Sequence, residues 1–345
     1  MFGKRKRTTV GLDIGASAIK VIEIERRGEV IHLVNFGMAL LEPETIVDGE
    51  IMDRQVVIET IQNLFESRGI KRKRVIAGIH GRGVIVKKIV MEHLEEEHAS
   101  EAIYWEAEQH IPYDINDVSL DFEILPVDMG PKQMQVLLVA AKRDLILGLA
   151  DIIREAGLIP DAVDVNSFAV QNVVEMAHDL RPDEVAALLD IGAEITNVNI
   201  VRDGIPLYTQ DVSLGVNNMV RAVQKRTQVG REEAVRALES MDEKLDVRPL
   251  IESFCRDLTH GLDKAATYLK TSGDAEQLDR IFLSGGGGRL KGVVEILSAI
   301  QPLPVEVVDP LRRVEYDAEI FAGYDPLEVA PQLAVGVGLA LRKAA

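Results

Sequence analysis

Hydrophobic and polar positions change period again and again along this chain. Over Val118–Ile124, Val118, Leu120, Phe122 and Ile124 alternate strictly with Ser119, Asp121 and Glu123, the period of two expected of a half-buried strand. Arg54–Arg68 runs at the other period. Val57, Ile58, Ile61, Leu64 and Phe65 fall on one helical face, and Gly69 stands where a C-terminal cap belongs. Apolar runs at Thr8–Leu12, Ala18–Glu25, Ile31–Ala39 and Val75–Ile79 read as further strands, turned by Gly15 and by the Arg26-Arg27-Gly28 corner. Strands alternating with helices predict the α/β class.

The same reading divides the chain. A compact module, about Val84 to Gly157, holds strands Val84–Met91, Val118–Ile124 and Gln133–Lys142. It also holds a helix capped by Ser100 and running to His110, before Pro112, and a second helix, Asp144–Ala156. A strand near Ala162–Asp164 and a helix Ser167–Ala177 return to the first lobe, which spans 1–182. The second lobe, 183–326, opens with strands Val185–Asp190, Ile195–Val201 and Ile205–Gln210. A helical subdomain covers about 212–272, with helices Leu214–Thr227, Arg231–Leu238 and Val247–Thr271. Strand Leu278–Ser284, loop Gly285–Gly288, helix Leu290–Ile300 and strand Val305–Val308 follow. One helix, Leu327–Arg342, returns to the first lobe within 327–345.

Composition narrows the possibilities. The 345 residues suit two domains at ~150 residues each, and 47% are hydrophobic but only 4% aromatic, so the cores rest on Ile, Leu, Val and Ala. No apolar run reaches the ~20 residues of a membrane span, and no signal peptide is expected. The lone Cys255 fits a reducing compartment and a packing role. Seven scattered histidines, His80, His93, His98 and His110 among them, form no metal-ligand pair. The net charge of −17 disfavours nucleic acid as a partner. The basic run Lys4-Arg5-Lys6-Arg7 reads as a frayed terminus or a weak contact with an anionic leaflet.

A repeat carries the chemistry. Leu12-Asp13-Ile14-Gly15-Ala16 reappears as Leu189-Asp190-Ile191-Gly192-Ala193, 177 positions later, and repetition at half-chain spacing predicts two similar halves facing each other. Glycine after the acid lets the backbone turn and approach a ligand. Successive amides in such a corner form an anion-binding concavity. Ser17 and Thr196 are expected to add hydroxyls, and Lys20 a point charge. Asp13 and Asp190 would repel phosphate and so are read as ligands of Mg²⁺ through water, with Asp190 also orienting an attacking water.

The third element is Ser284-Gly285-Gly286-Gly287-Gly288, delivered by a strand to a helix start, against whose bare backbone a flat nucleoside can lie. A dinucleotide fingerprint fails here, because its third glycine would fall on Leu290 or Lys291. A Walker A loop fails for want of Gly-Lys-Ser/Thr.

Together these motifs resemble the actin, sugar-kinase and DnaK-like superfamily, a two-lobed, ribonuclease H-like ATPase fold. They match its two phosphate hairpins, Asp13–Lys20 and Asp190–Thr196, and its adenosine loop, Ser284–Gly288. Ser167–Ala177 and Ala334–Leu341 resemble its two lobe-connecting helices. The inserted module, with Tyr104–Tyr113 and Leu120-Asp121-Phe122, is similar to that of the FtsA and PilM branch. So is Gly15–Lys20, with Ala16 where relatives often carry serine, and so is the ending Ala330–Arg342. That ending has no FtsA-like amphipathic helix, which favours the PilM family. Trp105 and Pro112 are read as shaping the module.

What the resemblance implies is ATP and Mg²⁺ bound between the lobes, and a cytoplasmic location peripheral to the inner membrane. It also implies recruitment by the cytoplasmic tail of PilN, held between lobe one and the inserted module, with PilO and PilP as indirect partners. Three functions are weighed. A nucleotide-gated adaptor leads, with at most slow ATPase activity. A small-molecule kinase would need a catalytic carboxylate, and Gln171 or Asp164 is weighed for positioning water. An FtsA-like filament would need self-association.

Overall fold

The computed structural model describes residues 7–47, 49–94 and 96–342. The basic run at 4–7 therefore lies outside the described residues, except for Arg7. The chain opens with β1 (Arg7–Ile14), β2 (Ala18–Arg27) and β3 (Val30–Leu40). A two-stranded ribbon follows, β4 (Ile46–Val47) and β5 (Glu50–Ile51), then α1 (Arg54–Ser67) and β6 (Arg74–Ile79). The five apolar residues expected on one face of α1 are the five it buries. Asp53 caps that helix by accepting from Val56 N at 3.1 Å.

The inserted module comprises β7 (Val84–Glu92), α2 (Glu96–His110), β8 (Val118–Ile124) and β9 (Gln133–Lys142), in the sheet order β7-β9-β8. α2 starts four residues before the expected cap Ser100, which lies inside the helix. The module has its own core, Ile89, Ile103, Ala107, Ile111, Val136 and Leu138 among them. The next helix, α3 (Arg143–Glu155), buries Leu149, Ile152 and Ile153 in the core of the first sheet instead. Then come β10 (Ile159–Val165) and α4 (Asn166–Ala177).

The second half runs β11 (Ala186–Ile191), β12 (Thr196–Arg202), β13 (Ile205–Val212), α5 (Val216–Thr227), α6 (Arg231–Ser240) and α7 (Arg248–Ser272). It continues with β14 (Arg280–Ser284), α8 (Gly285–Gly288), α9 (Val293–Ile300) and β15 (Val305–Val307). The chain then forms β16 (Glu315–Tyr316), α10 (Pro326–Val329) and α11 (Ala334–Leu341). Two expectations change here. Gly285–Gly288 forms a helical turn rather than a loop. The final helix is broken, with a 3₁₀ turn at Ala330–Leu333 carrying Pro331 between α10 and α11, because proline removes an amide donor that a continuous helix needs.

The repeat seen in five residues extends to whole sheets. The first sheet has the order β10-β6-β1-β2-β3-β16 and the second β13-β12-β11-β14-β15. In each, the opening strand pairs antiparallel with the second and parallel with a later one: β1 with β2 and β6, β11 with β12 and β14. Each strand splits its side chains between two cores, as period two requires. Ile19 and Val21 of β2 face α1 and α3, while Ile22 and Ile24 face the opposite way. In β11, Leu189 and Ile191 face α5–α9, and Ala186 and Leu188 face back.

The inner faces of the two sheets share one core with α4 and α11. Gly338 lets those helices meet: a Cβ there would lie 1.9 Å from Ala169 O. Gly11 lets α11 approach β1, where a Cβ would lie 2.2 Å from Gly336 O, and Gly336 makes room for Ile22 of β2.

Candidate functional site

Two hairpin corners converge on a cavity of about 570 Å³ between the sheets, well within the range of ligand pockets. Both corners close the same way. Gly15 N donates to Ala18 O at 3.1 Å, and Gly192 N donates to Ile195 O at 2.9 Å. Those two amides are spent on the turns, and the corner residues Ala16, Ser17, Ala193 and Glu194 line the cleft.

Asp13 and Asp190, ending equivalent strands, line this one cavity from opposite sides. Lys20, opposite Asp13 in the β1–β2 register, pairs with it at 2.7 Å, and both are nearly buried. Asp190 Oδ1 accepts from Ser284 Oγ at 2.9 Å. Burial raises the Asp190 carboxyl above the usual carboxylate range, and the Asp13 charge pushes the same way. The Ser284 hydrogen bond, Lys20 and His80 pull it down. The two acids therefore interact electrostatically across the cleft, an arrangement that favours a cation there.

The four glycines do different things. Gly285 has φ +77°, and a Cβ on it would strike Ile191 O and Asp190 Oδ1. Gly286 lines the cavity with nothing within 4 Å of a Cβ. Gly287 and Gly288 do not line it. They pack against the Ile191 side chain and the Leu283 backbone, so they hold α8 onto the sheet.

Thr196 is also not where it was expected. It is fully buried, and its hydroxyl donates to Leu214 O at 2.6 Å. Counting from the two acids gives the reason. Lys20 stands seven places after Asp13, and Asn197 stands seven after Asp190, so Asn197, not Thr196, is the cleft-facing equivalent of Lys20. A one-residue slip in a strand reverses the face.

Sequence reasoning missed several residues of the cleft. α6 contributes Arg231, Val235, Leu238 and Glu239, and Arg289 closes over them through an ion pair with Glu239. Arg231 donates to Asn217 Oδ1 at 2.6 Å, and Asn217 donates in turn to Glu194. The apolar side of α6 was legible, but its aim at the cleft depends on the fold. Asn166, at the start of α4, and His80 also line the cavity. The buried Oδ1 of Asn166 has no hydrogen-bond partner among the described residues.

The two residues considered for positioning water lie elsewhere. Gln171 donates to Glu175 and Gly204 O, and Asp164 pairs with Arg342 at 2.9 Å. Neither lines the cavity. Among the described residues, no group of three or more His, Cys, Asp or Glu is placed to hold a metal directly, and no helix is long and apolar enough to cross a membrane.

A family model described as type IV pilus assembly protein PilM matches residues 11–344. The chain belongs to this family. The solved PilM-PilN type IV pilus biogenesis complex superposes with a TM-score of 0.85 at 27% identity, covering 97% of this chain and 98% of that one. The cell division protein FtsA of Enterococcus hirae is 23% identical over 87% of this chain and 78% of its own length. Fold alone is shared with the ethanolamine utilization protein EutJ from Carboxydothermus hydrogenoformans, at a TM-score of 0.59 and 15% identity. That match covers 98% of this chain and 91% of that one. It is also shared with MreB5 of Spiroplasma citri bound to AMPPNP, at 0.57 and 10%, covering 97% and 95%. The PilM-family chain thus has the actin-like ATPase fold, as its paired sheets and paired corners indicate.

Proposed function

We propose that this PilM-family chain is a nucleotide-gated adaptor of the type IV pilus assembly platform. It would hold ATP with Mg²⁺ between its lobes and take the cytoplasmic N-terminal tail of PilN between lobe one and the inserted module. The observation that carries the reading is the convergence of Asp13 and Asp190, from equivalent strands, on a single cavity.

The residues fit such a ligand. The corners at 15–17 and 192–194 face each other across the cleft, which suits a polyphosphate gripped from both sides. Lys20 supplies positive charge and keeps Asp13 oriented. Asp13 and Asp190 would hold Mg²⁺ through water, the usual habit of a small ion that dehydrates reluctantly. Gly286, with open space above it, and α6 leave room for a flat base. Mg²⁺ bound there supplies charge neutralisation of the phosphates. Asp190 would orient an attacking water, and at most slow ATPase activity is expected.

PilN then recruits the chain to the cytoplasmic face of the inner membrane, with PilO and PilP reached through PilN, and self-association is compatible with the fold. The test is isothermal calorimetry with Mg-ATP, alongside membrane co-sedimentation with and without PilN. Asp13→Ala and Asp190→Ala should remain folded and lose Mg-ATP binding. Unchanged affinity in both variants sinks the nucleotide site, and PilN-independent membrane recovery sinks the adaptor role.

A further inference from the structure

The second-lobe equivalent of Lys20 does not pair with its own acid. Asn197 lines the cleft but donates its Nδ2 to Asp211 Oδ1 on β13 at 2.5 Å. The other oxygen of Asp211 accepts from the backbone N of Gly81. Gly81, at φ +96°, lies in the short segment His80–Gly83 that leads from β6 into β7. The chain leaves the module beside that segment, where Lys142 N donates to Gly83 O at 2.9 Å. One carboxylate thus joins the cleft wall of lobe two to the segment through which the inserted module is entered.

Other observations support a mechanical link at this place. His80 and Asn197 both line the nucleotide cleft, and both also line a separate groove of about 290 Å³ between β7 and β13. They form the wall between the two. Two further contacts clasp the module to lobe two: Arg82 Nη2 donates to Ser213 Oγ at 3.3 Å, and Lys88 pairs with Asp274 beyond the end of α7. The Lys88 and Asp274 side chains are nearly buried, so the clasp is desolvated enough to hold geometry.

We infer that Asp211 is the coupling residue of this protein. It fixes the module to lobe two, so a ligand that shifts the Asn197 wall of the cleft also shifts the module. This rests on the nucleotide-gated reading and adds its route: Asn197, Asp211, Gly81, then β7. Coupling of this kind requires one element with two arrangements that both sites bias, and that part is assigned to the segment His80–Gly83, which contacts both.

The test is hydrogen–deuterium exchange of the full chain with and without Mg-ATP, in wild type, Asp211→Ala and the near-isosteric Asp211→Asn, with calorimetry on the same samples. In wild type, Mg-ATP slows exchange at the two corners and also in β7 and residues 81–83, by about 5-fold or more. In the Asp211 variants the corners remain protected, ATP affinity stays within about 3-fold, a shift of under 0.7 kcal/mol, and the effect on β7 disappears. Variants that bind ATP and still transmit protection to β7 overturn the inference. A wild type that binds ATP with no response in β7 also overturns it. A wild type that binds no ATP overturns the nucleotide reading beneath it.

Discussion

Gly286 and Gly287 are neighbours whose missing side chains serve opposite ends. A methyl at Gly286 would project into the open cleft, whereas one at Gly287 would lie 2.1 Å from Ile191 Cγ2. Gly286→Ala should therefore keep stability within about 1 kcal/mol and weaken ATP about tenfold. Gly287→Ala should cost about 1–3 kcal/mol of stability, read by chemical denaturation, with little effect on affinity once folded. At Asp190 the raised carboxyl gives a pH dependence. Metal-nucleotide binding needs the carboxylate, so affinity is lost as pH falls, starting above the range of an ordinary aspartate. Ser284→Ala removes the hydrogen bond that favours the charged form, so calorimetric titrations should show the loss beginning at still higher pH. Asp13, Gly15, Ala16, Ser17, Lys20, Asp190, Gly192, Ala193, Gly285 and Gly286 were legible as cleft residues because the repeat, the polar positions just after its first copy and the glycine run mark them. Thr196 was misread because hydroxyl chemistry was weighed without counting strand register.

At the scale of elements, helix α11 is buried from Ala334 through Leu341 and meets α4 at Gly338. Gly338→Ala should lower the unfolding free energy by about 3 kcal/mol, since the facing atom is Ala169 backbone and neither helix can retreat from a packed core. Gly261→Ala, inside α7 with nothing within 4 Å, should instead raise it by about 0.5–1 kcal/mol. The pair, compared by urea denaturation, separates a packing glycine from a merely flexible one. Most strands and helices could be read from period alone, α1 and β8 most fully. α8 could not, because an all-glycine run carries no period. The break at Pro331 was hidden by the unbroken apolar character of Leu333–Leu341. α3 was grouped with the module because nothing in its own pattern says which sheet its apolar face meets.

The whole molecule is two copies of one five-strand order facing each other across a cleft, with the helix pair α4–α11 between them. A ligand held by both halves stabilises the folded state by mass action. Mg-ATP at a hundred times its Kd should add about 2.7 kcal/mol and raise the melting temperature of the whole chain. ATP without Mg²⁺ should do less, as differential scanning fluorimetry would show. The repeat predicted this pairing of halves, but not the contacts of the module with lobe two, since Lys88–Asp274 and Gly81–Asp211 join residues with no shared pattern in sequence.

The order of synthesis differs from the order of completion. β1 and β2 are made well before α11, which covers their inner face, and before β16, which closes the free edge of β3. The first lobe is therefore finished only by residues translated after the sheet of the second. Until those residues emerge, its nascent sheet presents Ile22, Ile24 and Phe36 uncovered, a natural point of engagement for a holding chaperone.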